Sequence, residues 1–80
     1  MGEINFFQSQ AEAVLKGVRP FEIHGACFYE IEFSLPEDPP DSSRKARISD
    51  NLIYENPAPG DRVIIEILMG NVNRVSRLAQ

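Results

Sequence analysis

Residues 26–35, ACFYEIEFSL, alternate more strictly than any other part of this chain. Cys27, Tyr29, Ile31, Phe33 and Leu35 fall on one face of an extended strand, and Ala26, Phe28, Glu30, Glu32 and Ser34 fall on the other. A period of two marks a strand with one face buried, whereas a helix would scatter both sets around its axis. On this pattern Cys27 and Tyr29 are expected in the core. A strand needs hydrogen-bonded neighbours, so the rest of the chain must supply them.

The next stretch, residues 36–43 (PEDPPDSS), reads as a solvated, partly disordered loop, because Pro36, Pro39 and Pro40 remove backbone donors and fix φ. Residues 43–49 then give a short strand with Ala46 and Ile48 against Lys45 and Arg47. Antiparallel pairing across the loop sets Ile31 opposite Ala46 and Tyr29 opposite Ile48 on the buried face. The same register sets Glu30 opposite Arg47 and Glu32 opposite Lys45 on the exposed face. Apolar and charge complementarity agree, which is how a register is specified.

Four further strands are expected. Residues 10–18 (QAEAVLKGV) admit a helix capped by Asn5, or a strand with Ala11, Ala13 and Leu15 on one face. The strand is favoured because a small sheet needs more members to close its core. Gly17 and then Arg19-Pro20 are expected to end that element. Phe21 to Ile23 form a short strand before a turn at His24-Gly25. After a loop over 51–61, the run RVIIEILMG places Val63, Ile65, Ile67 and Met69 on a core face. Gly70-Asn71 turns the chain into a returning strand, with Ile65 opposite Val75 and Glu66 opposite Arg74. Pro59-Gly60-Asp61 ahead of an apolar strand is turn chemistry common to many small barrels, and no family is identified from it.

The expected fold is therefore all-β, or β-rich with one short N-terminal helix: a small antiparallel barrel of five to six strands, OB-like or SH3-like. Residues 1–9 are expected to be a partly ordered N-terminal segment and 10–80 a single barrel domain. With 80 residues there is no room for two cores, and a domain this small buries only about 60% of its unfolded surface. A partner or a second copy is the common remedy.

Charge and composition narrow the function classes. Eight Lys+Arg against twelve Asp+Glu give a net charge of −4, the opposite of a generic nucleic-acid footprint. No run approaches the roughly 20 apolar residues of a membrane span, and no secretory signal is visible. The lone Cys27 cannot form an internal disulfide, so a reducing cytoplasm is the expected setting.

Catalytic and cofactor chemistry find little support. His24 and Cys27 form H-x-x-C, but four ligands are needed for structural zinc and the chain has one His and one Cys. Glu30 and Glu32 share a strand face, which salt bridging to Arg47 and Lys45 explains without catalysis. Glu37, Asp38 and Asp41 lack calcium-loop spacing. No phosphate loop, zincin, nucleophile-elbow or dinucleotide pattern is present. No enzyme, cofactor, metal or small-molecule substrate is expected.

Two binding readings remain. Phe28, Ile64 and Leu68 point away from the core on the assumed strand faces and suggest a contiguous surface for a protein partner or a second copy. A cover by Phe6 and Phe7 is the alternative use of those positions. Arg44, Arg62, Arg74 and Arg77, with Tyr54 and Phe28 as stacking platforms, suggest instead an OB-type surface for single-stranded nucleic acid. The protein partner is preferred, because charge counts against nucleic acid.

Overall fold

The computed structural model describes residues 8–78 as one antiparallel sheet of five strands coiled around a single core. Expectations that fall on residues 1–7, Phe6 and Phe7 included, lie outside the described residues. The strands are β1 (Gln8–Ile23), β2 (Ala26–Ser34), β3 (Arg44–Ser49), β4 (Arg62–Leu68) and β5 (Asn71–Arg77). Their order is β3-β2-β1-β4-β5. A single 3-10 turn, Asp50–Leu52, follows β3.

β1 is a strand, and it does not end at Gly17 or at Arg19-Pro20. It runs for 16 residues, pairing with β4 over Gln8–Val14 and with β2 over Val14–Ile23. Two features let it continue. A bulge between Leu15 and Gly17 inserts one extra residue and reverses which face the later residues present. Leu15 and Val18 therefore both point inward, and Gly17 and Arg19 point outward. Pro20 then sits where it costs no ladder bond. With a two-residue turn at His24-Gly25, Ile23 and Ala26 form the hydrogen-bonded pair, and alternation aims the Pro20 nitrogen at the free edge of the strand.

The register expected for β2 and β3 is the one observed: Tyr29 opposite Ile48, Glu30 opposite Arg47, Ile31 opposite Ala46 and Glu32 opposite Lys45. β4 and β5 also pair with Ile65 opposite Val75 and Glu66 opposite Arg74, before a second bulge beyond Glu66. Their turn is one residue earlier than expected. Met69 and Gly70 take it, with φ of 52° and 85°, so Met69 is 67% exposed rather than in the core. His24 and Gly25 do the same between β1 and β2, with φ of 50° and 85°, as a type I′ turn requires.

Leu15, Ile31, Val63, Ile65 and Val75 are the most deeply buried side chains, and Ala13, Phe33, Leu35, Ile48 and Ile53 complete the core. The two outer strands come alongside each other without a ladder between them; the one bridge near their seam joins Ile53 to Val75 in parallel. The two edges of the sheet thus approach each other, and hydrogen bonds do not complete the circle.

Both long loops are pinned. Asp38 accepts from the Leu35 amide at 3.0 Å and from Arg44 through Nε at 3.0 Å and Nη2 at 2.8 Å. The Pro-rich loop is exposed over most of its length, as its composition leads one to expect, and its own acid ties it to Leu35 and Arg44. The Arg44 guanidinium holds the Asp38 carboxyl below its ordinary range. In the other loop the Tyr54 hydroxyl donates to Asp61 Oδ2 at 2.6 Å, and the Ala58 amide donates to the same oxygen at 3.1 Å. The Leu15 amide donates to the Asp61 carbonyl at 2.9 Å and the Gly60 amide to the Leu15 carbonyl at 2.8 Å, which ties this loop to β1.

Candidate binding surfaces

The two expected surfaces are not assembled as drawn from the sequence. Phe28 lies opposite Phe21 and Ile64 opposite Glu12, nine positions apart along β1, or about 30 Å at a strand's rise. Leu68 lies farther still, opposite Gln8. Phe28 and Ile64 are half-buried, and Leu68 is 41% exposed beside the Met69-Gly70 turn. The three are outward-facing, but they are separate points and form no contiguous patch.

The basic set divides as well. Arg44 is engaged by Asp38. The Arg77 guanidinium lies over the Tyr54 ring, 5.7 Å from its centroid, and Arg74 borders the same shallow groove along β5. Arg62 borders a different groove, with Glu12 and Val14. Tyr54 is held by its hydroxyl, whose pKa is raised above the ordinary tyrosine value first by burial and then by the bond to Asp61.

What the fold brings together is the outer face of β1, β2 and β3. Phe21 and Phe28 stack with ring centroids 5.5 Å apart and planes 19° off parallel. The Arg47 guanidinium sits 5.3 Å from the Phe21 centroid. One row along, Arg19 forms an ion pair and hydrogen bond with Glu30, which lowers the Glu30 pKa. The expected Glu30–Arg47 bridge is thus replaced: β1 supplies the cation, and Arg47 is left to the aromatic ring. Glu32 accepts from Ser43 Oγ at 2.8 Å. A cleft of about 330 Å³ opens over Gly17, between Arg19 and Lys45. A Cβ on Gly17 would stand 3.1 Å from Glu32 Oε1, so the missing side chain is part of the opening.

Beyond this face the β1–β2 hairpin runs on alone. β3 leaves β2 at Phe28, and β4 leaves β1 at Val14. Every residue from Glu22 to Cys27 is exposed, including Ile23 at 44%. Cys27 is exposed with them and is not a core residue, although it lies on the same face of β2 as Tyr29 and Ile31. The strand pair outruns the core, so none of the described residues covers its inward face at that level.

Phe21, Arg19 and the aromatic use of Arg47 are the features that sequence reasoning missed. The signal was present: a two-residue turn at His24-Gly25 sets Phe21 opposite Phe28 by counting back from it. Among the described residues, no group of three or more His, Cys, Asp or Glu side chains converges as a metal site. Nor is any helix among them long and apolar enough to cross a membrane. Compared with protein-family models, with curated proteins and with solved structures, the chain finds no match.

Proposed function

We propose that this chain is a non-enzymatic binding module that engages a protein partner through the outer face of the β1–β2 hairpin. The observation that carries this reading is the Phe21–Phe28 stack, half-buried on a ribbon that no other strand among the described residues flanks beyond Phe28. An isolated two-stranded ribbon is marginal in water, and a partner that covers the stack adds apolar burial beyond what the described residues give these rings. The charges around the stack favour a protein over a polyanion. Arg19, Lys45 and Arg47 alternate with Glu30 and Glu32 across three strands, and a phosphate chain would meet both acids. A free thiol in so small a domain suits a reducing, cytoplasmic setting.

The test is partner capture by the intact chain and by a Phe21→Ser, Phe28→Ser double variant, with unfolding midpoints measured on both. Capture that depends on both rings while the folded state persists supports the reading. Equal capture by the two proteins overturns it.

A second reading, OB-type binding of single-stranded nucleic acid, is favoured by one specific observation. A long first strand shared by both halves, in the order β3-β2-β1-β4-β5, is compatible with an OB-type barrel, in which the β2–β3 face takes the ligand. Here that face carries Phe28, Lys45 and Arg47. Titration of amide shifts with a mixed-sequence single-stranded oligonucleotide separates the readings. Shifts at Phe28 and Arg47 at low salt that fade as salt rises would favour nucleic acid.

A further inference from the structure

The seam between β3 and β5 is where hydrogen bonding fails to close the barrel, and it combines an apolar cleft with a basic border. Both strands run in the same direction, since each step in the order β3-β2-β1-β4-β5 is antiparallel. The Ile53–Val75 bridge lies near one end. Toward the starts of the two strands a cleft of about 290 Å³ opens, lined by the apolar residues Phe33, Ala46, Ile67 and Val72. Arg44, Lys45 and Arg47 border it, and no carboxylate is among its lining residues. Arg44 is already held by Asp38, whereas Lys45 and Arg47 have no ion pair among the described residues.

The backbone of the seam is unpaired in a definite pattern. Counting from the Ile23–Ala26 pair, Tyr29 and Ile31 direct their peptide groups toward Ile48 and Ala46. Lys45, Arg47 and Ser49 therefore direct theirs outward, into the seam. From the Leu68–Asn71 pair, the Val72 amide faces the seam from the other side.

β3 already displays what kind of strand it accepts. On its inner edge lies β2, in which Tyr29, Ile31 and Phe33 alternate with Glu30 and Glu32, the acids opposite Arg47 and Lys45. We propose that the outer edge of β3 receives a second strand of the same chemistry: an extended peptide alternating acidic and apolar side chains, lying antiparallel in the seam. Its acids meet Lys45 and Arg47, and its apolar residues lie over Ala46 and Val72. Cations on an edge strand guard it against neutral and basic strands, and the same cations select an acidic one. The proposal rests on the reading of the chain as a protein-binding module and shares Arg47 with the Phe21 ring, whereas the cleft itself has no lining residue in common with the groove at Phe21 and Phe28.

The experiment titrates the isotope-labelled full chain with a hexapeptide of the β2 sequence, YEIEFS, and with YKIKFS as the charge-reversed control. YEIEFS is expected to give saturable shifts and slowed amide exchange at Lys45, Arg47 and Val72, and YKIKFS none. Lys45→Glu is expected to weaken YEIEFS at least about fivefold. Val72→Pro removes one seam-facing donor from an edge strand and is expected to weaken it with little change in unfolding midpoint. The Phe21→Ser, Phe28→Ser variant frees Arg47 from its ring and is expected to keep saturable YEIEFS binding, while Val72→Pro is expected to leave partner capture by the hairpin unchanged, so failure of the hairpin reading and failure of this one are told apart. Absence of saturable shifts, equal response to YKIKFS, or a stronger response of the same amides to a single-stranded oligonucleotide would each overturn the proposal. So would seam amides already protected by concentration-dependent self-association.

Discussion

β1 and β2 serve two regions of the molecule in opposite ways. Around Leu15 they lie in the middle of the sheet, and everything around them is satisfied. Val14 pairs on both sides, with Ser34 and with Arg62, and the 54–61 loop bonds back to Leu15. Around Phe21 and Phe28 the same two strands have, among the described residues, no strand beyond them on β1 and only the end of β3 on β2. The first region is finished by the chain itself and the second is presented by it. What separates them is the reach of the core, since the backbone pairing is continuous from one to the other.

The largest effect that tests this contrast is a core truncation. Ile31→Ala removes a fully buried side chain from the finished region and is expected to cost about 2–5 kcal/mol. Phe28→Ser, in the presented region, removes a half-buried ring and one stacking contact, and is expected to cost about 1 kcal/mol. Urea unfolding of both proteins reads the difference. Equal losses would mean that the hairpin is as integral to the fold as the barrel, and the contrast would fail.

The pH dependence of stability sharpens the finished side. Tyr54 has a raised pKa, from burial first and from Asp61 second, so its contribution is full below about pH 10 and is lost as pH rises past that. Asp61 has a lowered pKa, chiefly from the Tyr54 hydroxyl, so its contribution is present above the ordinary carboxylate range. It is lost as pH falls through the folded-state value. Tyr54→Phe is therefore expected to lower stability at neutral pH and to flatten both the acid and the alkaline flank of the unfolding midpoint. An unchanged alkaline flank would show that the hydroxyl does not anchor the loop.

The same contrast explains what the sequence made legible. The β2–β3 register could be read because two independent patterns, apolar on one face and charged on the other, demanded the same alignment. β1 resisted reading at Gly17 and Pro20 because a bulge and a free edge are tertiary circumstances. Nothing in QAEAVLKGVRP says that the strand's neighbour has left by residue 20. The apolar trio of Phe28, Ile64 and Leu68 failed to assemble for a related reason: facing outward is set by local alternation, but adjacency is set by strand order. The Phe21–Phe28 stack was within reach of local reasoning, and so was the placing of Arg19 opposite Glu30, two positions further back in the same hairpin.

The smallest expected effect on stability falls at Pro20, and it tests the free edge directly. Pro20 occupies a position on β1 whose nitrogen faces away from β2, so replacing it removes no ladder bond. Pro20→Thr restores an N–H on that edge and places a good strand former there. Monomer stability is expected to stay within about 0.5 kcal/mol of the parent. Self-association is expected to rise, because an exposed edge with a full set of donors pairs with another. Sedimentation velocity over a range of concentrations reads this without reference to any partner. A variant that stays monomeric at every concentration would mean that the twist of the ribbon, rather than the missing donor, protects the edge. The presented region would then be guarded by its shape, and the Phe21–Phe28 face would be left as its means of contact.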